Sequence, residues 1–262
     1  IDPSCHSLRP VASDFVLGFV WVVLDGESVA GTAANLDVRA FLGPDVVSEL
    51  ESFDFGDSVV FIDEAVDVAA NWKLVADGTI DMLHPKFLHP HTVGKYFRTN
   101  TAVWRDYGRH GQVFTARTRL ERLESTDGID NPWSYMATNL VLYPNSLLIA
   151  APDHVELWTI WPDIDDPGRC RVNFRFLVRR HELDDVNKER MTRSWEILRA
   201  AGVDEDFPME ETIQINAAAT TDPSATFRYG RCELPNHHLH ASLQRDIDEL
   251  HQSRANANGG AR

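Results

Sequence analysis

The chain has 262 residues, 43% of them hydrophobic, enough to bury a substantial core as one large domain or two small ones, and one is expected. Its 25 Lys and Arg against 40 Asp and Glu give a net charge of −15, which opposes nucleic acid and anionic membrane surfaces as partners, because both need clustered positive charge. No apolar run reaches the roughly 18 residues of a membrane helix, and the three cysteines, Cys5, Cys170 and Cys232, offer no disulfide framework and fit a reducing cytoplasm.

Residues 1–14 carry no periodicity and read as an irregular leading segment. Phe15 to Leu24, rich in Val, Phe and Trp, predicts a buried strand closed by a turn at Asp25-Gly26. Leu36 to Glu51 mixes helical spacing with a Gly43-Pro44 break and predicts a short irregular helix, after which Ser58 to Val68 returns to strand character. Ala69 to about His84 predicts a helix that ends where Pro85 cannot donate a backbone hydrogen bond. Thr99 to Arg105, Gln112 to Arg122, Tyr135 to Tyr143, Ser146 to Ala150, Val155 to Trp161 and Arg171 to Arg180 are strands separated by Gly, Pro, Asn and Asp turns. Consecutive strands without helices between them imply an antiparallel meander, and hence an α+β fold. Composition then shifts to helix formers. Asp184 or Asp185 can cap a helix running to about Ala201, Asp204 or Asp206 can cap the next with Pro208 in its first turn, and Leu234 to His251 forms the last. The expected organisation is one domain over 15–252, followed by a flexible tail over 253–262.

The chemistry concentrates between Asn71 and His89. On a helix, Asp77, Asp81 and His84 fall at i, i+4 and i+7, one face. An unbroken helix would turn His89 about 140° away from His84, but the break at Pro85 lets the chain swing it back. Two imidazoles and one carboxylate on one face of a metal, with other positions open, suit a non-haem Fe(II) that activates oxygen. Asp81, three residues before His84, can accept a ring N–H, which fixes the tautomer and raises the basicity of the ligand. The plainer alternatives are a pair of histidines at a helix end and Asp206 as an N-cap beside Pro208. His91 competes with His89 at a less suitable spacing. The group His237, His238 and His240 reads as the start of a helix, and Asp163, Asp165 and Asp166 as a solvated turn.

With Asn71-Trp72-Lys73, Asp77, Asp81, His84 and His89 in register, the sequence resembles the catalytic domain of the Rieske non-haem iron oxygenases, the ring-hydroxylating dioxygenase alpha subunits and related monooxygenases. Glu205-Asp206-Phe207-Pro208-Met209-Glu210-Glu211-Thr212-Ile213-Gln214 is similar to the segment that carries the family's third ligand, an Asp five residues before a Glu and shortly before a Gln; Asp206 occupies that position. The resemblance extends from about residue 15 to 250 and implies a helix-grip fold, an antiparallel sheet wrapped around a long helix with flanking helices, as in START and Bet v 1-like proteins. It implies Fe(II) on His84, His89 and Asp206, catalytic roles for Asp81 in the electron path and for Asp77 near the iron, and oxygen from O2 inserted into an aromatic or other apolar substrate. Electrons would come from NAD(P)H through a reductase or ferredoxin and a Rieske [2Fe-2S] cluster, in a homotrimer with or without a beta subunit. Such a cluster needs a Cys-x-His and a Cys-x-x-His pair, and neither occurs in this sequence. The chain opens on Ile1 without a signal-peptide pattern. The expectation is therefore a piece of a longer alpha subunit, a processed chain, or a naturally separate catalytic chain, inactive without its electron donor. The alternative is a helix-grip ligand-binding module without redox activity.

Overall fold

In a computed structural model the described residues are 11–23, 36–99, 101–125, 127, 129, 132–222 and 224–259. Contacts divide the chain into two compact units, residues 1–58 and 59–262. In the first, β1 (Ala12–Val16) and β2 (Phe19–Val23) pair as an antiparallel hairpin. Leu17 and Gly18 between them both take positive φ, 57° and 83°, giving the two-residue turn whose twist suits a hairpin. The buried strand expected over Phe15 to Leu24 is thus corrected to two short strands, with Phe15 and Val20 exposed. Leucine in the first left-handed position hid the turn, since Asn, Asp or Gly usually marks it. Leu24, the Asp25-Gly26 turn and residues 1–10 lie outside the described residues. Helix α1 (Val38–Ser52) starts at Asp37, whose side chain accepts the Ala40 N–H at 2.9 Å, and breaks at Gly43 (φ 78°) before Pro44, as the sequence predicts. Its buried stripe is Val38, Leu42, Val46 and Leu50.

The second unit carries β3 (Ser58–Val68), β4 (Val103–Tyr107), β5 (His110–Ala116), β6 (Met136–Leu142), β7 (Ser146–Ala150), β8 (Val155–Pro162) and β9 (Cys170–Arg179). They form one antiparallel sheet in the order β3-β9-β8-β7-β6-β5-β4, so the six later strands are the expected meander and β3 adds an edge beside β9. Two strands move most, and the one expected over Thr99 to Arg105 is found at Val103–Tyr107. The strand expected over Gln112 to Arg122 begins at His110, because Gly108 (φ 79°) turns β4 into β5, and it ends at Ala116, with Thr118–Arg122 a 3-10 turn. The helices are α2 (Trp72–Ile80), α3 (Pro85–Leu88), α4 (Asp185–Arg199), a π-helical segment (Ala200–Asp206), α5 (Phe207–Ala219) and α6 (Leu234–Gly259). From Asp185 to Ala219 the chain is helical throughout, and this is the long helix of the α+β fold. The last helix continues eight residues past His251, through Gln, Arg, Ala and Asn that tolerate a helix.

Register explains the core. In the β8–β9 pair Trp158 lies opposite Phe174 and Ile160 opposite Val172, so alternate residues of both strands share the packed face. Val75, Ala76 and Ile80 from α2, Met191 and Trp195 from α4, Phe207 from α5 and Leu239 from α6 join the same buried cluster. Phe174 is its hub, with ring centroids 4.5 Å from Trp158, 5.9 Å from Trp195 and 6.0 Å from Phe207. Among the described residues no helix is long and apolar enough to cross a membrane. Replacing Phe174 by Ala is expected to cost about 3–5 kcal/mol of stability, read as a shift in the denaturant midpoint; a loss under about 1 kcal/mol would show that the hub is not the keystone of this packing.

Candidate metal centre

The residues before α2 act first as fasteners. The Asn71 side chain caps α2 by accepting the Lys73 N–H at 3.0 Å, and its amide donates to the Pro167 carbonyl at 2.7 Å. The backbone N–H groups of Ala69 and Asn71 donate to Glu211 Oε1 and Gln214 Oε1, each at 2.9 Å. The two motif segments, about 140 positions apart, are therefore hydrogen-bonded to each other. That pairing sets α5, and with it the end of the π-helical segment, beside α2.

Helix α2 stops at Ile80, four residues short of the expected end, because Asp81 turns extended (φ −72°, ψ 114°) and its Oδ1 accepts the Leu83 N–H at 2.7 Å. Asp77, Asp81 and His84 consequently do not share one helical face, a correction to the sequence reading. Pro85 occupies the first turn of α3, where its missing N–H costs nothing. That single turn carries the chain from His84 round to His89. Gly94 N–H then donates to the His89 carbonyl at 2.9 Å, and a Cβ on Gly94 would collide with the carbonyl oxygens of Pro85 and His89.

On the long helix Asp206 keeps helical dihedrals (φ −67°, ψ −56°) and makes no capping bond, so the expected helix start at Asp204 or Asp206 is also corrected. Its side chain is left free to reach the histidines. The Nε2 atoms of His84 and His89 lie 3.1 Å apart, and Asp206 Oδ1 lies 2.9 Å from the His89 Nε2 and 3.4 Å from the His84 Nε2. Each ring is held from behind by a carboxylate. Asp81 Oδ2 is 3.4 Å from His84 Nδ1, and Glu205 Oε2 is 2.6 Å from His89 Nδ1 while accepting the Thr92 hydroxyl at 2.5 Å. A proton on Nδ1 shared with a carboxylate leaves the Nε2 lone pair facing inward.

The charges follow from this packing. Burial alone would depress the His84 imidazolium, but hydrogen bonds and charge from Asp206 and Asp81 outweigh it and raise it to about 9. His89 is likewise raised against burial, by Asp206 and Glu205. For Asp206 burial pushes upward, yet the two histidines hold it below the usual carboxylate range. Donors about 2.1 Å from a metal and at right angles lie ~3 Å apart. Separations of 2.9, 3.1 and 3.4 Å among His84 Nε2, His89 Nε2 and Asp206 Oδ1 therefore fit one facial set, and among the described residues these three form the group able to hold a metal ion.

The remaining candidates go elsewhere. Asp77 Oδ2 accepts Tyr229 Oη at 2.7 Å and lies 2.8 Å from His240 Nε2, while Asn236 Nδ2 is 3.2 Å from its Oδ1, so Asp77 ties α2 to α6. His91 is exposed, and Asp163 closes an exposed turn by accepting the Asp165 and Asp166 N–H groups. Glu205 went unrecognised as the carboxylate behind His89; its place directly before Asp206 was the available signal. Glu210 is buried one turn on, against Gly78, and burial with the charge of Asp206 raises its carboxyl well above the usual range. A cavity of about 320 Å³ opens onto His84, His89 and Asp206, with Phe97, Ile149, Trp158 and Leu198 on its apolar wall.

Fold and site together describe an α+β domain with a His-His-carboxylate cluster at the edge of a cavity. The sequence profile of the ring hydroxylating alpha subunit (catalytic domain) matches residues 55–249, and the chain belongs to that family. Its structure is similar to a quaternary ammonium Rieske monooxygenase, CntA, in complex with an inhibitor, at TM-score 0.64 and 14% identity over 84% of this chain and 55% of that one. It is also similar to dicamba monooxygenase bound to dicamba, at TM-score 0.57 and 16% identity over 94% and 70% of the two chains. A mutant of naphthalene 1,2-dioxygenase bound to phenanthrene gives TM-score 0.57 and 18% identity over 84% and 56%. At these identities the likeness is one of fold. The chain spans about 55% of the length of the first of these structures. No curated protein matches its sequence. Gly94→Ala is expected to destabilise the His84 to His89 turn by more than the roughly 1 kcal/mol of an ordinary substitution, since backbone oxygens cannot step aside. Thermal unfolding checks it, and an unchanged midpoint would contradict the close approach.

Proposed function

We propose that this domain is the oxygenase component of a Rieske-type system, with His84, His89 and Asp206 binding one mononuclear non-haem Fe(II). The observation that carries the reading is the convergence of two Nε2 atoms and one carboxylate oxygen at facial spacing. Ferrous iron there would supply the activation of O2 for insertion into an organic substrate. The residues of the chain do the rest. Asp81 and Glu205 orient the two rings from behind. The apolar wall of the cavity holds the substrate body beside the cluster and keeps water from it. Asp81, 23% exposed, holds the ring of His84, itself 22% exposed, and His84 touches the nearly enclosed His89, so Asp81 would be the point at which electrons enter from the surface side. Their source would be a Rieske [2Fe-2S] cluster fed from NAD(P)H through a reductase or ferredoxin, in a homotrimer with or without a beta subunit.

Metal analysis of protein purified without oxygen tests the site. About one iron per chain is expected, with loss in His84→Ala, His89→Ala and Asp206→Ala alike. Retention in all three, or no iron in the parent chain, would leave the cavity as a ligand-binding site without redox activity. Glu205→Ala should keep the three donors and weaken metal affinity by about 10–100-fold, measured by competition with a chromophoric chelator. Unchanged affinity would show that Glu205 does not orient His89.

A further inference from the structure

Arg117, directly after β5, is a charged side chain in the cavity wall that the reading above does not use. Its backbone is fixed on two sides, donating to the Tyr135 carbonyl at 2.8 Å and bridging to Phe97, and its guanidinium lies 5.6 Å from the centroid of the Phe97 ring. Its Nε is buried without a hydrogen-bond partner, and no carboxylate pairs with the guanidinium among the described residues. Burial works against the charged form, and the Asp153 charge offsets this only in part. A half-buried guanidinium whose Nε is enclosed and unpartnered is costly unless something completes it.

The acids in the same wall are already answered. Asp153 Oδ1 lies 2.8 Å from His154 Nδ1, and its Oδ2 lies 3.5 Å from Arg190 Nε. Glu156 accepts Trp158 Nε1–H at 3.0 Å and faces His154 Nε2 at 3.6 Å. Burial works against the His154 imidazolium, but hydrogen bonds and charge from Asp153 and Glu156 outweigh it and raise it above its ordinary value. Both acids thus have His154 or Arg190 within 3.6 Å, and Arg117, which feels Asp153 only at longer range, has no such close partner among the described residues. Among the described residues lining the cavity Arg117 is also the one Lys or Arg, which suits a single negative charge better than a phosphate dianion.

We propose that the cavity takes a substrate with a carboxylate, which Arg117 receives through its guanidinium while the apolar body of the molecule extends along the wall shared with His84, His89 and Asp206. The inference deepens the oxygenase reading and rests on it for the reaction, though not for the binding. It is tested by calorimetric titration of the iron-loaded chain, without oxygen, using benzoate, phenylacetate and cinnamate, each beside its amide. At least one acid is expected to bind about tenfold or more tightly than its amide. That preference should fall to within about twofold in Arg117→Met and to an intermediate value in Arg117→Lys, which keeps the charge but loses the fork. The preference should survive removal of the metal by chelation. No acid binding, equal binding of every acid and amide, a preference kept in Arg117→Met of unchanged thermal stability, or its loss on chelation overturns the proposal. If Arg117→Met does not fold, an acid preference in Arg117→Lys equal to that of the parent does so. Iron content read on the same samples separates the two claims. Acid preference without iron counts against the metal reading alone, and iron without acid preference counts against this one alone.

Discussion

Two imidazole nitrogens 3.1 Å apart, one of them on a ring only 2% exposed, are held together inside a ring of negative charge. Asp206 supplies it from the front, Asp81 and Glu205 from behind. Each carboxylate belongs to a segment bent for the purpose. Asp81 has left α2 and bonds its own turn, and Glu205 and Asp206 end the π-helical segment. The short turn between the histidines is held by Gly94, so both rings and all three acids stand on backbone that is locally over-determined.

The π-helical segment has a definite part in this arrangement. On an ordinary helix consecutive residues point about 100° apart, yet Glu205 and Asp206 meet opposite nitrogens of one ring, His89 Nδ1 and His89 Nε2. A wide turn inserted in a long helix is a known way to re-aim side chains at a functional site. Gly202 lets the segment lie close to the sheet, since a Cβ there would come within 3.1 Å of the Trp158 ring. Phe207 then enters the aromatic cluster beside Phe174, fixing the segment from its other end.

The sequence made much of this legible. His84 and His89 stood at a spacing that the proline could fold back, and Asp206 stood out once they were recognised. The antiparallel meander followed from strands without helices between them. What stayed hidden depended on tertiary partners. Asp77 has helical spacing to Asp81, but His240 and Asn236 on the distant α6, and Tyr229 just ahead of it, claim its carboxylate. The end of α2 at Ile80 is set by a side chain bonding its own backbone, which periodicity does not report. Asp206 looked like a cap because Pro208 follows it, while the helix in fact runs straight through. Leu17 in a left-handed position disguised a hairpin as a single strand.

The His89 to Glu205 contact closes a loop of 116 positions that contains strands β4 to β9. A cation shared by His84, His89 and Asp206 would therefore act as a removable cross-link between the beginning and the end of the meander, restricting the unfolded chain much as a long-range disulfide does. Because the donors assemble only when both ends are in place, its binding energy would favour the complete fold over any partly paired sheet. Occupancy of the site would thus also be a check on assembly: a chain that has mispaired its strands would have nowhere to keep the ion.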